Sequence, residues 1–376
     1  MSERQLIGNI LAEDYEEQLR TDDPKFLEKR PARLSVDAPE FVPSTSPVLS
    51  KRLEISQMQG KIAEISRDQN GSRVIQQKLE LASSEEKQMV FDEVLREIHD
   101  LMPDAFGNYV VQKLFEHGTT EQRWALANQL IGKMLELSLN MYGCRVVQRA
   151  LEVIEFNQKK LLVRELRGHV EKCVDDQNGN HVIQKCIETC KEQAKFIVET
   201  IKKDGVYWGV HMYGCRVVQR MIEHCSREDI QEMVEELLEK ALELSSEPYG
   251  NYVIQHLLEK GNEDEKRYIS RIVIANLKEL CKHKFSSNVV EKCLHCAPGE
   301  FKSQILEMLF DEGNIKEIAT DRFANFVLQR ALEITTGATQ RRFVEKVLDI
   351  SDYLNQVKFG KHVLKCIKNL NNNEDV

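Results

Sequence analysis

Eight times along the chain a short polar residue, a flat or polar one, two apolar ones and a second long polar residue follow one another. The first place in this block is held by Ser72, Asn108, Cys144, Asn180, Cys215, Asn251, Ser287 and Asn325. The second is Arg73, Tyr109, Arg145, His181, Arg216, Tyr252, Asn288 and Phe326. The fifth is Gln76, Gln112, Gln148, Gln184, Gln219, Gln255, Glu291 and Gln329. Rings and guanidinium planes stack, and short and long polar groups side by side form hydrogen bonds. An unpaired base offers both, a π-face and an edge of donors and acceptors. Base–aromatic stacking contributes about 1–3 kcal/mol per base. At Glu291 the chemistry narrows: a carboxylate only accepts, and guanine alone presents two adjacent donors, N1–H and N2–H₂, so that block should read guanine. One Asn-Tyr or Cys-Arg pair would mean nothing, since glutamine on a helix is usually just solvated. Eight blocks in phase reverse that judgement.

The spacing says which elements must hold these residues. Successive first places lie 36, 36, 36, 35, 36, 36 and 38 residues apart, and a degenerate ninth block begins 36 residues further on at Lys361, with His362 in its second place. A fixed period of this length is the mark of a solenoid, in which each unit buries its apolar faces against its neighbours. The first and fifth places are i and i+4 on a helix and share a face. The third and fourth, such as Val146 and Val147, are apolar and belong to a core, which leaves the first, second and fifth as the exposed set. Cys144 and Cys215 are therefore expected to line the surface. Between blocks, stretches such as residues 121–137 place Trp124, Leu126, Leu130, Ile131 and Leu135 at helical spacing. The fold expected is all-α, a solenoid of eight three-helix repeats with degenerate caps. The longer seventh interval contains Ala297-Pro298-Gly299 and Asp311-Glu312-Gly313, which suggests a longer loop there.

Five of the eight prolines fall within the first 47 residues, and the first 50 residues are acidic. Residues 1–48 are read as a disordered tail and 49–376 as the repeat domain. No apolar run has signal-peptide or membrane-spanning character, so a cytoplasmic protein without membrane contact is expected. The ten cysteines are then reduced, and most are small core residues. Cys293 and Cys296 form a CxxC pair, but no second pair stands at zinc spacing. Neither a metal nor a cofactor is expected. Nothing resembles a nucleophile elbow, a phosphate-cradling loop or a paired-carboxylate site, so the chain is read as a binding protein and not an enzyme. The net charge of −9 speaks against a phosphate binder until it is divided by position. Eleven-residue windows around the nine blocks carry +9, leaving −18 for the rest of the chain. The strip that would face a ligand is basic and the other faces acidic.

The blocks closely resemble the RNA-reading helices of the Pumilio/PUF family. Asp-Gln-Asn-Gly-Ser-Arg at residues 68–73, Asp-Gln-Asn-Gly-Asn-His at 176–181 and His-Lys-Phe-Ser-Ser-Asn-Val-Val-Glu-Lys-Cys at 283–293 carry the likeness, which covers about residues 50–370. The resemblance implies a right-handed, crescent-shaped array of PUF repeats that holds single-stranded RNA antiparallel on its concave face. It also implies a code in which Asn with Gln takes uracil, Cys or Ser with Gln takes adenine, and Ser with Glu takes guanine. Read from the C-terminal block backwards, that code gives 5′-UGUAUAUA-3′. The family further implies binding to mRNA 3′ untranslated regions and post-transcriptional regulation through partners such as a deadenylase or translational repressors, with the chain itself a monomer.

The competing reading is a protein-binding solenoid of armadillo or HEAT type, in which Gln and Asn line a peptide groove. Stacking groups in phase at the second place favour bases over peptide. A ribosome-assembly role fits less well, because this chain has a regular code and an acidic N-terminal segment.

Overall fold

The computed structural model describes residues 54–374, with side chains as far as 370. The expected tail, residues 1–48, lies outside the described residues. Among those described, all regular structure is helical, and no helix is long and apolar enough to cross a membrane. The described residues form one unit.

Every block lies on a helix. We number these helices α1 (Gln69–Leu81), α2 (Gly107–His117), α3 (Gly143–Val153), α4 (Gly179–Thr189), α5 (Gly214–His224), α6 (Gly250–Lys260), α7 (Ser286–Cys296), α8 (Ala324–Ile334) and α9 (Lys358–Glu374). Each packs on the next from α1 to α9, so they form one continuous layer. A short helix precedes each of them, such as Met134–Leu139 before α3, and an outer helix such as Phe156–Arg164 follows each of α1 to α8. This is the three-helix unit expected from the spacing.

The apolar third and fourth places drive the layer together. On α3, Val146, Val147, Ala150 and Leu151 are wholly buried, at spacings that place them on one side of the helix. Complete burial of a Val or Leu side chain stabilises the fold by about 1.5–3 kcal/mol. The outer helices start on sequence signals legible in advance. Ser83 with Glu86, Thr119 with Gln122 and Asn262 with Glu265 each form a capping box that satisfies the first turn.

The turn between the short helix and the block helix is too tight for most side chains. A Cβ at Gly179 would lie 2.7 Å from the Cys173 carbonyl oxygen and 2.9 Å from its Cα. At the same place α7 begins with Ser286, whose hydroxyl donates to the Leu280 carbonyl at 2.9 Å, so the close approach there becomes a hydrogen bond.

The longer seventh interval does not make a longer loop. Its extra residues lengthen a helix instead: the short helix before α8 spans Glu312–Thr320, nine residues, against five in Leu277–Cys281 before α7. Asp311 caps it by accepting from the Gly313 N–H at 2.9 Å, and Asn314 Nδ2 donates to the Met308 carbonyl at 2.8 Å. With these bonds made, the added backbone is cheaper to keep helical than to leave as a loop.

Candidate nucleic-acid interface

The residues four places before each block set where the helix begins. Asp68, Asp104, Asn140, Asp176 and Asp321 each accept two backbone N–H bonds through one side-chain oxygen, for example from Phe106 at 2.9 Å and Gly107 at 2.7 Å to Asp104. In the fifth repeat His211 Nδ1 takes this role, accepting from Tyr213 and Gly214. These caps were missed in the sequence, although an Asp or Asn at a constant offset before a Gly is a recognisable helix-start signal.

The first-place residues are not exposed. Cys144 and Cys215 are 1% and 0% exposed, and Ser72, Asn108, Asn180, Asn251, Ser287 and Asn325 are buried as well. This corrects the expectation that the first place, cysteines included, lines the surface. Their polar atoms turn back to carbonyls three and four residues earlier, in the turn that opens each block helix, instead of facing solvent. Burial raises the pKa of the Cys144 thiol and pushes that of Cys215 up to about 11, so both are neutral small groups. The fifth place divides. Gln148, Gln184 and Gln219 are buried, whereas Gln76, Gln112, Gln255, Glu291 and Gln329 are half-buried.

The two kinds of first residue hold the fifth-place glutamine differently. Asn108 Nδ2 donates to the Asp104 and Ala105 carbonyls at 2.8 and 3.1 Å, which fixes the direction of its amide. Its Oδ1 then accepts from Gln112 Nε2 at 2.8 Å. Asn180 with Gln184, Asn251 with Gln255 and Asn325 with Gln329 repeat the arrangement at 2.9 Å. Where the first residue is cysteine, the glutamine turns back on its own helix: Gln148 Nε2 donates to the Cys144 carbonyl at 3.0 Å and Gln219 Nε2 to Cys215 at 2.9 Å. Ser72 and Ser287 donate their hydroxyls to the Gln69 and Lys284 carbonyls.

Second-place side chains form the outermost row. Tyr109, Tyr252 and Asn288 are exposed, and Arg73, Arg145, His181, Arg216 and Phe326 are half-buried. Neighbours along the row come within stacking reach: the Arg216 guanidinium lies 4.9 Å from the centre of the Tyr252 ring. Burial, with Arg145 adding to it, lowers the pKa of His181 and leaves a neutral flat ring.

A ladder of charges runs along one edge of the layer, through the sixth and ninth places of each block. Lys113 bridges Glu80 and Glu116, both at 2.9 Å. Arg149 bridges Glu116 and Glu152 at 3.2 and 2.6 Å, and Lys185 bridges Glu152 and Glu188 at 2.9 and 2.8 Å. Arg220 continues to Glu223 at 2.8 Å. Burial opposes charge on Lys113 and Lys185, but the flanking glutamates outweigh it and hold both ammonium groups above their ordinary pKa. At α6 the cation gives way to His256, whose pKa is drawn down to about 4 by burial against the opposing pull of Glu223. This ladder, too, was missed in the sequence.

Cys293 is core, as expected, with the Ser270 hydroxyl 3.4 Å from its sulfur. Among the described residues no group of three or more His, Cys, Asp or Glu side chains is placed to hold a metal ion.

A continuous layer of helices that repeats the same three polar places defines a helical-repeat binding protein. The family described as "Pumilio-family RNA binding repeat" matches residues 61–95, 97–131, 133–167, 176–201, 208–238, 240–274, 276–310 and 314–348. The chain belongs to the Pumilio (PUF) family. It is 36% identical over 125 residues to a Pumilio domain-containing protein of Schizosaccharomyces pombe, covering 33% of this chain and 18% of that protein. It is 36% identical over 126 residues to Pumilio homology domain family member 4 of Saccharomyces cerevisiae, covering 32% and 14%. The match thus spans under a fifth of either relative's length. The Puf3 RNA binding domain, solved bound to a Cox17 RNA 3′ UTR recognition sequence, superposes with a TM-score of 0.76 at 36% identity, covering 84% of this chain and 96% of that one. PUF-8, solved in complex with PBE-RNA, gives 0.75 at 36% identity, covering 86% and 97%.

Proposed function

We propose that the strip formed by α1 to α8 binds single-stranded RNA sequence-specifically, one base per repeat, and prefers 5′-UGUAUAUA-3′. The observation that carries this reading is the way the first-place residue orients the fifth. In the Asn repeats of α2, α4 and α6 one Nε2 hydrogen of the glutamine is spent on Asn Oδ1, which leaves Gln Oε1 as acceptor and the second Nε2 hydrogen as donor; in α8 Gln329 Nε2 also reaches the Asn325 carbonyl at 3.3 Å. Uracil offers the complement, N3–H as donor and O2 or O4 as acceptor. In the Cys repeats the amide sits lower, drawn to a backbone carbonyl, and the thiol adds no strong acceptor, which suits the larger adenine with its N6–H and N1. Glu291 above Ser287 supplies acceptors only and suits guanine. A base entering between second-place groups replaces a contact such as Arg216 on Tyr252 with stacking on both its own faces.

Membership of the family and the Puf3 and PUF-8 complexes support the reading. We further propose that the chain acts in the cytoplasm as a monomer on mRNA 3′ untranslated regions. There it would recruit partners such as a deadenylase or a translational repressor. The test is fluorescence-anisotropy binding of the full chain to UGUAUAUA and ACAAUAUA at fixed, near-physiological salt, since phosphate binding is salt-dependent. Tight binding to the first alone is expected. Equal, weak binding to both would sink the reading and favour a solenoid that binds protein.

A further inference from the structure

The outer surface is not uniformly acidic, as the division of charge in the sequence suggests. The outer helix Arg227–Glu239 carries six carboxylates and one arginine. The outer helix Phe156–Arg164, FNQKKLLVR, has three basic residues and no carboxylate. It also exposes apolar side chains: Phe156 is 56% exposed and Leu161 55%. Phe156, Lys160 and Arg164 recur at i, i+4 and i+8 and share one face of the helix. That face forms one wall of a groove of about 280 Å³, whose other wall is Glu192, Gln193 and Phe196. Arg167 closes one end with its guanidinium 5.1 Å from the centre of the Phe196 ring. Beside the same helix lies Trp124, also 56% exposed, whose carbonyl accepts from Gln158 Nε2 at 3.0 Å.

We propose that this groove between the outer helices of the third and fourth repeats docks a short acidic segment of a partner protein. An aromatic or aliphatic anchor seats on Phe156 and Phe196, and carboxylates of the segment meet Lys160, Arg164 and Arg167. The charge pattern selects this occupant. Three cations around an apolar floor fit an acidic, apolar-anchored peptide, and Arg pairs well with carboxylates in two-pronged geometry. RNA fits less well: Glu192 stands in the wall, and Arg227–Glu239 on the outer surface beyond repels an extended polyanion. None of these side chains lies on the base-reading strip, so the proposal stands independently of the RNA reading.

The test pans a displayed library of random 12-residue peptides against the full chain, with counter-selection against an Arg164→Glu/Arg167→Glu variant. The enriched consensus should hold Asp or Glu around an aromatic or leucine anchor. As a labelled synthetic peptide it should bind with micromolar Kd, weaken at least tenfold on the variant or on Phe156→Ser, and leave UGUAUAUA binding unchanged. A circular dichroism melt of each variant separates lost binding from lost fold. Enrichment of neutral or basic peptides, or of none that the variant loses, would overturn the proposal. So would ultraviolet crosslinking of RNA to the groove. Self-association of the chain that vanishes in the variant would assign the groove to a second copy instead.

Discussion

The block helices α2 to α5 and α6 to α8 share one backbone plan but are fastened to their neighbours differently. In the first group every sixth place is a Lys or Arg and every ninth a Glu, and each cation reaches carboxylates on its own helix and the one before it. In the second group the alternation is interrupted twice. His256 replaces a cation and lies 3.8 Å from Glu223 with its Nε2 buried and without a hydrogen-bond partner. His295 replaces a glutamate and accepts from Arg330 Nε at 2.8 Å. The C-terminal repeats also have a fastening of their own, the wholly buried Phe310 and Phe343 rings stacked 4.1 Å apart and 7° from parallel. Repeats that look alike in their core are therefore coupled by electrostatics in one half of the layer and more by packing in the other. A solenoid's stability is nearly a sum of such neighbour terms, so the two halves should respond differently to mutation, pH and salt.

The largest expected effect breaks the packing half. Phe310→Ala removes one ring of the stacked pair and should cost about 3–5 kcal/mol. Amide hydrogen exchange should localise the loss to α7 through α9; uniform loss along the layer would mean the halves are not separable. Next comes the reading chemistry in that half. Ser287→Asn with Glu291→Gln gives α7 the pair found in α2, and should move preference at the second base from G to U by about 1–3 kcal/mol. Competition binding with UGUAUAUA and UUUAUAUA measures it, and an unchanged preference would remove Glu291 from the reading set.

A smaller effect tests the electrostatic break. His256 has a folded pKa of about 4, below its ordinary value of 6.5. Between these values the unfolded chain takes up a proton that the folded chain does not, so this residue's contribution to stability is intact above pH 6.5 and is lost as pH falls towards 4. His256→Gln should remove about 1–2 kcal/mol of the stability difference between pH 6.5 and pH 5. The readout is urea unfolding of both proteins at the two pH values, and equal slopes with pH would show that His256 does not resist protonation. The smallest effect would mend the ladder. His256→Lys places a cation between Glu223 and Glu259, and should add about 0.2–1 kcal/mol at low salt that fades at high salt. A destabilised, salt-insensitive variant would mean the site is too buried to carry charge.

Much of this protein is set by local sequence. The period of the blocks and the helical spacing between them are short-range patterns, and both led to the correct element; the capping boxes at Ser83, Thr119 and Asn262 are equally local but were not read from the sequence. The register of first, second and fifth places was equally legible, because i and i+4 on a helix must share a face. Their exposure was not. Whether Cys144 points into solvent or between two helices depends on how closely α3 approaches its neighbours, and no spacing within α3 contains that distance. The insertion before α8 was misread for a different reason: the bonds that keep it helical, Gly313 N–H to Asp311 and Asn314 to the Met308 carbonyl, are local, and the Asp311 cap outweighs the loop-forming tendency of Gly313.

The sequence by itself determined the repeat, the helices and the register of the proposed reading residues, since all three follow from side-chain type and local geometry. Only the tertiary structure decided how deeply the first-place side chains are buried, which carboxylates each cation of the ladder reaches and which outer helix exposes a basic, aromatic face. Those depend on contacts between residues some 33 to 36 positions apart, such as Lys113 with Glu80 and Arg330 with His295. Burial and ion pairs between repeats are properties of such contacts, and a chain has neither until its repeats are stacked.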